Sequence, residues 1–227
     1  MLTLALDCSA RFCSVAVYEA DTDRILGSAS PDIGRGHAEQ LPAIVEAVLA
    51  EAGTDLIRIG RVGVTIGPGS FAGIRVGVSF ARGLALALGA PCVGVGSLEA
   101  IAIPAARKSG RPVMAVLDAR RDHVWAMLLD SRGEVLNPAA ELMPAAAAAL
   151  ARESDCGLIG SGAFLLSGIE ASLASRIIAD PAAPKIEDVA RIGARLDPDA
   201  NPPEPRYLRD ADAKPQSGFA VAHEGAG

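Results

Sequence analysis

Few side chains in this 227-residue chain are disposed for chemistry, and most of them stand at the ends of apolar runs. Asp7 follows the strand-like run Leu2 to Leu6, and Asp118 ends a similar run past Pro112. Two carboxylates ending equivalent strands suit either of two tasks. They can face one cleft and hold a metal-bound nucleotide, or each can cap a hairpin turn by accepting backbone N–H bonds. Gly67-Pro68-Gly69 follows the apolar run Val62 to Ile66 and precedes Ser70, a suitable N-cap for a long helix. A strand, glycines and a helix N-terminus bind phosphate through free N–H groups and the helix dipole. Asp7, Gly67 and Gly69 are therefore the candidate nucleotide-binding residues. Gly67-x-Gly69-x-x-Ala72 also fits the loose dinucleotide fingerprint. That fingerprint belongs after a first strand, however, and the next strand ends at Gly94-Val95-Gly96-Ser97 without the acid a ribose needs. No Gly-Lys-Ser/Thr occurs, which excludes a P-loop.

Other chemistries find less. His37, His123 and His223 form no HxxxH or HExxH pair, and Cys8, Cys13, Cys92 and Cys156 show no metal-type spacing. No Gly-x-Ser-x-Gly elbow surrounds Ser70, Ser97 or Ser161. Arg75 and Arg82, seven apart on the predicted helix, read as an anion stripe or as a solvated face. The residue pattern contains no catalytic constellation and no metal site.

The elements that would position these residues form two similar series. Strands are expected at Leu2 to Leu6, Cys13 to Tyr18 and Arg24 to Ser30. A helix follows on which Leu41, Ile44, Val45, Val48, Leu49 and Ala52 share one face, with Gly53 as its stop. Pro42 suits only the first turn of that helix. After the long helix come a strand at Pro91 to Val95 and a helix capped by Ser97 that stops near Pro104. Past Pro112 the pattern repeats: strand, Asp118, charged turn, strand at Val124 to Leu129, acidic turn, strand. Helices at Pro144 to Glu153 and Ala163 to Leu173 flank a strand at Cys156 to Ile159, and Glu187 to Leu196 is a last helix. Tyr207-Leu208 is expected to be extended. Two copies of one βββαβα topology indicate an α/β chain of two similar halves. Their expected bounds are 1–104 and 105–209, with 210–227 a mobile tail.

On the long helix Gly73, Gly77, Ala81, Ala85 and Gly89 recur every fourth residue along one ridge. Glycine inside a helix costs roughly 1 kcal/mol relative to alanine, so another backbone must come very close there. Either a partner helix approaches, or the ridge packs internally, against the preceding helix or the sheet.

Composition narrows the class. The chain is 50% hydrophobic but only 4% aromatic, so its core is built of Ala, Val, Leu and Ile. A net charge of −6 and the lack of any dense Lys/Arg run argue against a main role in gripping nucleic acid. The start of the chain carries no basic leader, and the apolar stretch Leu84 to Ala106 is broken by glycine, proline and Glu99. A reduced, soluble, cytoplasmic protein without a membrane span is expected.

The stretch GPGSFAGIRVG (67–77) resembles the signature of the bacterial TsaB (YeaZ) family, a subunit of the tRNA threonylcarbamoyladenosine machinery. The likeness extends to LALDCSARFCSVAV at the start, His37 with Leu41-Pro42, LDARRDHVW in the middle and EPRYLR near the end. It implies the actin-like ATPase architecture of two ribonuclease-H-like halves. It also implies a non-catalytic partner of TsaD, the subunit that transfers threonylcarbamoyl to the adenosine beside the anticodon. A TsaE-like ATPase joins the same assembly, and tRNA is met only through the complex. Family members pair through the helices of the N-terminal half, as homodimers or with TsaD. That assigns Gly73, Gly77, Ala81, His37, Leu41 and Arg75 to a partner interface. No cofactor of its own is implied, with ATP or ADP a candidate at the partner interface. Ala72 and Cys8 replace the family's usual threonines, and the turn from Asp7 to Phe12 lacks the glycines that cradle phosphate in active relatives. Two alternatives stand beside this expectation: a nucleotide-dependent enzyme of the actin-like superfamily, and a glycoprotease-like metalloprotease.

Overall fold

The computed structural model describes residues 1–208. The expected tail at 210–227, with His223, lies outside the described residues. Strands β1 (Leu2–Asp7), β2 (Ser14–Glu19) and β3 (Arg24–Ala29) form an antiparallel meander. Helix α1 (His37–Glu51) then leads to β4 (Ile59–Gly67), and α2 (Phe71–Leu88) to β5 (Cys92–Gly96). Both crossovers return parallel to β1, so the sheet order is β3-β2-β1-β4-β5. The central strand β1 is buried on both faces from Thr3 to Asp7. On one face Leu4, Leu6, Val62 and Val64 meet Leu41, Val45 and Val48 of α1 and Ile74, Val78 and Ala81 of α2.

Helix α3 (Ser97–Ser109) passes to the second series: β6 (Val113–Arg120), β7 (His123–Leu129), β8 (Val135–Leu142), α4 (Pro144–Glu153), β9 (Gly157–Ile159), α5 (Ala163–Ile169) and β10 (Ile177–Ala179). Its sheet runs β8-β7-β6-β9-β10, the same order as the first when each is counted from its own first strand. This duplicated topology, two ribonuclease-H-like units in one chain, is the actin-like ATPase architecture. Helix α3 packs Leu98, Ile101, Ala102 and Ala106 on the second sheet, against Val113, Ala115, Leu117 and Leu129.

The last helix, α6 (Ile186–Gly193), returns to the first sheet. Ile186, Val189 and Ala190 cover Ala5, Ala16 and Tyr18 on the face opposite α1 and α2. It crosses β4 where two glycines meet: a Cβ on Gly193 would lie 3.5 Å from the Gly63 Cα. Arg61 fastens the crossing, donating to the Gly193 carbonyl (3.1 Å) and the Leu196 carbonyl (2.5 Å). A cation at a helix C-terminus satisfies carbonyls that the helix leaves free.

Several elements depart from expectation. Helix α3 runs on through Pro104 to Ser109 and is capped at Gly96, while the Ser97 hydroxyl is buried without a partner among the described residues. Proline removes one helical bond, and burial of Ala102 and Ala106 against the second sheet outweighs that loss. Helix α1 likewise tolerates Pro42 in its interior. Helix α5 ends at Ile169, because Glu170 breaks out of helical geometry and its carboxylate accepts from the Ser172 N–H to start a short 3₁₀ turn. Helix α2 is long and apolar enough, by composition alone, to cross a membrane. Here Gly73, Ile74, Gly77, Val78, Ala81 and Ala85 are instead buried within the chain.

Candidate functional site

The residues with chemical potential in the first half meet where the β1–β2 turn crosses the start of α2. Asp7 is fully buried at the end of β1. Its Oδ1 accepts from the Ser9 N–H (2.8 Å) and the Thr65 hydroxyl (2.5 Å), while Oδ2 is buried without a partner among the described residues. Burial pushes the Asp7 carboxyl above its ordinary range, against the opposing pull of Thr65, Ser9 and, weakly, the His37 charge. In the second half the Asp118 Oδ1 accepts from the Arg120 N–H (2.7 Å). There the turn is held through three successive positive φ values, at Arg120, Arg121 and Asp122. Both aspartates therefore cap hairpin turns through the same bond to residue i+2, the simpler of the two tasks open to them.

The glycines after β4 serve that same junction. The Ser70 N–H donates to the Ser9 carbonyl (2.6 Å), and the Ser70 hydroxyl caps α2 by accepting from the Gly73 N–H (3.3 Å). A Cβ on Gly69 would fall under 3.0 Å from the Ser9 carbonyl, and one on Gly73 under 3.0 Å from the Cys8 carbonyl. The turn of residues 8–9 thus sits where a phosphate would have to lie on the N-terminus of α2. The second half repeats the device: Gly162 N–H donates to the Val116 carbonyl (2.9 Å), and Gly160, at φ +116°, passes close over Val116. Beneath the first turn the buried thiols of Cys8 and Cys13 face each other. The neighbouring Cys13, with burial, pushes the Cys8 thiol up.

The outward face of α2 is different. Phe71, Ala72, Arg75, Ser79, Arg82, Gly83, Leu86 and Ala87 are exposed along it. The Arg75 guanidinium lies 3.7 Å from the centre of the Phe71 ring, and its Nε donates to the Tyr207 hydroxyl (2.9 Å). Phe71 and Tyr207 themselves stack with centroids 5.0 Å apart. Tyr207 reaches this position because residues 201–206 strap across the ends of β4 and β5. The Gly94 N–H donates to the Asn201 carbonyl (2.9 Å), the Arg206 N–H to the Ile66 carbonyl (2.7 Å), and the Arg206 side chain to Glu99 (2.5 Å). An exposed arginine packed on one ring and hydrogen-bonded to a second is a preorganised contact point.

The charges on the two outer helices are segregated. Those of α1 are Glu39, Glu46 and Glu51, whereas those of α2 are Arg75 and Arg82. His37 donates its Nε2–H to the Phe12 carbonyl (3.0 Å), and His123 its Nδ1–H to the Arg121 carbonyl (2.8 Å) in the other half. Among the described residues no group of three or more His, Cys, Asp or Glu could hold a metal ion.

Comparison with known proteins fits this geometry. The family model described as TsaD, tRNA N6-adenosine threonylcarbamoyltransferase, matches residues 27–200. The tRNA threonylcarbamoyladenosine biosynthesis protein TsaB of Escherichia coli K12 is 38% identical over 128 residues, covering 56% of this chain and 54% of that protein. An uncharacterised protein of Mycobacterium tuberculosis H37Rv is 32% identical over 219 residues, 93% of each chain. The solved structure of YeaZ from Pseudomonas aeruginosa superposes with a TM-score of 0.70 at 30% identity, covering 91% of this chain and 99% of that one. The chain belongs to the TsaB (YeaZ) family.

In this TsaB-family chain the ridge expected to meet a partner is turned inward. Gly73 packs on the Cys8 carbonyl, Gly77 lies against Cys8 and Val64, and Ala81 is wholly buried. His37 and Leu41 are buried too, so of the six residues expected at a partner interface only Arg75 is exposed. The physical reason is the close approach of the chain's own β1–β2 turn, which takes up the space that glycine leaves. Asp7, Gly67 and Gly69 do come together, around that turn rather than around an open cradle. Phe71 and Tyr207 carried no periodic signal in the sequence. An aromatic one turn before Arg75 was the clue that could have found the first, and only the chain's return places the second.

Proposed function

We propose that this chain is a non-catalytic subunit beside a TsaD-type threonylcarbamoyltransferase, supporting the formation of threonylcarbamoyladenosine next to the tRNA anticodon in the cytoplasm. A TsaE-like ATPase belongs to the same assembly. The observation that carries the reading is the filled junction at Asp7. The chain's own Cys8 and Ser9 carbonyls crowd Gly73 and Gly69 at the start of α2, so a nucleotide belongs at the partner interface rather than inside this chain.

The outward face of α1 and α2 is the docking surface in this reading. The family model that matches residues 27–200 is that of the transferase itself, so a TsaD-type chain presents a related helix pair. Placing the acidic α1 of one chain opposite the basic α2 of the other pairs the charges and brings Arg75 into the contact. A homodimer of the isolated chain would use the same face.

The test is calorimetric titration of the chain with a TsaD-type protein, with Arg75→Glu as the variant. Arginine anchors of interfaces carry about 2 kcal/mol or more, so affinity should fall by roughly thirtyfold while the melting temperature of the variant stays close to wild type. The expected ATP turnover of the chain alone is that of buffer. Turnover on the order of 1 per second that is lost in Asp7→Ala would refute the non-catalytic reading, and absence of binding by the wild type would refute the partner.

A further inference from the structure

A basic groove forms where α3 and α6 come together, from cations that are scattered in the sequence. Arg107, Arg191 and Arg195 line a depression of about 210 Å³. It adjoins a second of about 540 Å³ lined by Lys108 and Lys185, the two sharing Pro104 and Asp188. The acids on these walls are Asp188 and Asp180, so five cations face two carboxylates in a chain whose overall balance is 21 to 27 the other way. Arg191 is already committed, bridging Asp23 (3.3 Å) and Asp188 (3.8 Å). Arg107, Lys108, Lys185 and Arg195 form no ion pair within 4 Å among the described residues, although Arg107 donates to the Arg132 carbonyl and Arg195 faces the Tyr18 hydroxyl and the Asp23 carboxylate. The groove lies on the opposite side of the first sheet from α1 and α2, so docking of a partner on those helices leaves it open.

We propose that this groove binds the phosphate backbone of the tRNA, giving the subunit a direct contact with the RNA inside the assembly. The proposal rests on the reading of the chain as a TsaD partner. Four cations without a close ion pair, along two joined depressions, suit successive phosphates of one strand, and each released counterion favours the bound state. The net charge of −6 explains why such a contact works only beside a partner that also holds the RNA: the rest of the surface repels it. The walls offer little for base reading, so the contact positions the tRNA without selecting its sequence.

The experiment compares the wild-type assembly, formed with a TsaD-type protein, with one carrying Arg107→Gln, Lys108→Gln, Lys185→Gln and Arg195→Gln together. The probe is an unmodified tRNA transcript, titrated over a range of salt. Affinity should fall at least tenfold at low salt, and the slope of log K against log salt should shrink by about three, at roughly 0.7 per lost phosphate contact. Unchanged affinity and slope overturn the proposal. It is overturned as well if the variant binds tRNA weakly only because it no longer joins its protein partners, since the groove would then seat an acidic protein. If the wild type does not assemble with the TsaD-type chain, the partner reading fails separately. The groove is then judged by the weak low-salt binding of the isolated chain: loss in the variant supports it and equality overturns it. Should the fourfold variant misfold, Lys108→Gln with Lys185→Gln is the substitute, with an expected slope change of about 1.4.

Discussion

Three glycines of α2 face three environments, and substituting them one at a time separates backbone packing from helix propensity. Gly83 points into open space, Gly77 has ordinary contacts at 3.5 Å with Cys8 and Val64, and Gly73 has the Cys8 carbonyl under 3.0 Å from any Cβ. Gly→Ala in a helix interior gains roughly 1 kcal/mol from propensity at each position. At Gly83 nothing opposes that gain. For a domain of this size 1 kcal/mol moves the melting temperature by about 2–4 °C, so Gly83→Ala should melt about 2–4 °C higher. Gly77→Ala should melt at or slightly above wild type, because the added methyl meets side chains at contact distance. At Gly73 the obstacle is a backbone oxygen that cannot rotate away. Overpacking costs about 1–3 kcal/mol, so after the propensity gain Gly73→Ala should lose up to about 2 kcal/mol, or as much as about 8 °C. Thermal unfolding followed by circular dichroism reads all three. A Gly73→Ala variant that melts as far above wild type as Gly83→Ala would refute the close approach of the turn, and a destabilised Gly83→Ala would show that the outer face of α2 is not open.

Two further outcomes follow from buried and half-buried carboxylates. Burial raises the Asp7 pKa above its ordinary 3.8, so the folded chain prefers the protonated acid, and the stability this group contributes below pH 3.8 is lost as pH rises toward the raised value. Asp7→Asn keeps an oxygen for the Ser9 N–H and the Thr65 hydroxyl and should flatten the decline in melting temperature as pH rises above about 4; an equally steep decline in the variant would count against it. Arg206→Ala strips the partner from Glu99, whose side chain is only 20% exposed and whose Oε2 already lacks one. A loss of roughly 1–2 kcal/mol is expected, about 2–8 °C, and it should largely vanish in a Glu99→Gln background. Full additivity of the two changes would show that the strap is held elsewhere.

The same device in both halves explains why the repeat could be read before the fold was known. Asp7 and Asp118 each cap a turn two residues on, and Gly69 and Gly162 each let the following loop cross the end of the first strand. Those are local requirements of backbone geometry, and they leave a mark on residue type at fixed spacing. Strand and helix positions were legible for the same reason, since burial of one face imposes a period. The path past Pro104 was not, because a proline's local cost says nothing about what the rest of the helix buries.

From the sequence alone came the two βββαβα units, the small-residue ridge of α2, the family, and the demand that some backbone lie against Gly73. What lies there was a tertiary decision. A glycine records that space is needed without recording who fills it, and the answer is the turn at Cys8 rather than another protein. The same holds for α6, whose amphipathic face does not say which sheet it will cover, and which crosses to the first through the contact of Gly193 with Gly63. It holds for charge as well: Arg107, Lys108, Lys185 and Arg195 are dispersed along the chain and become one groove only when α3 and α6 pack, because charge adds by distance in space and not by separation in sequence.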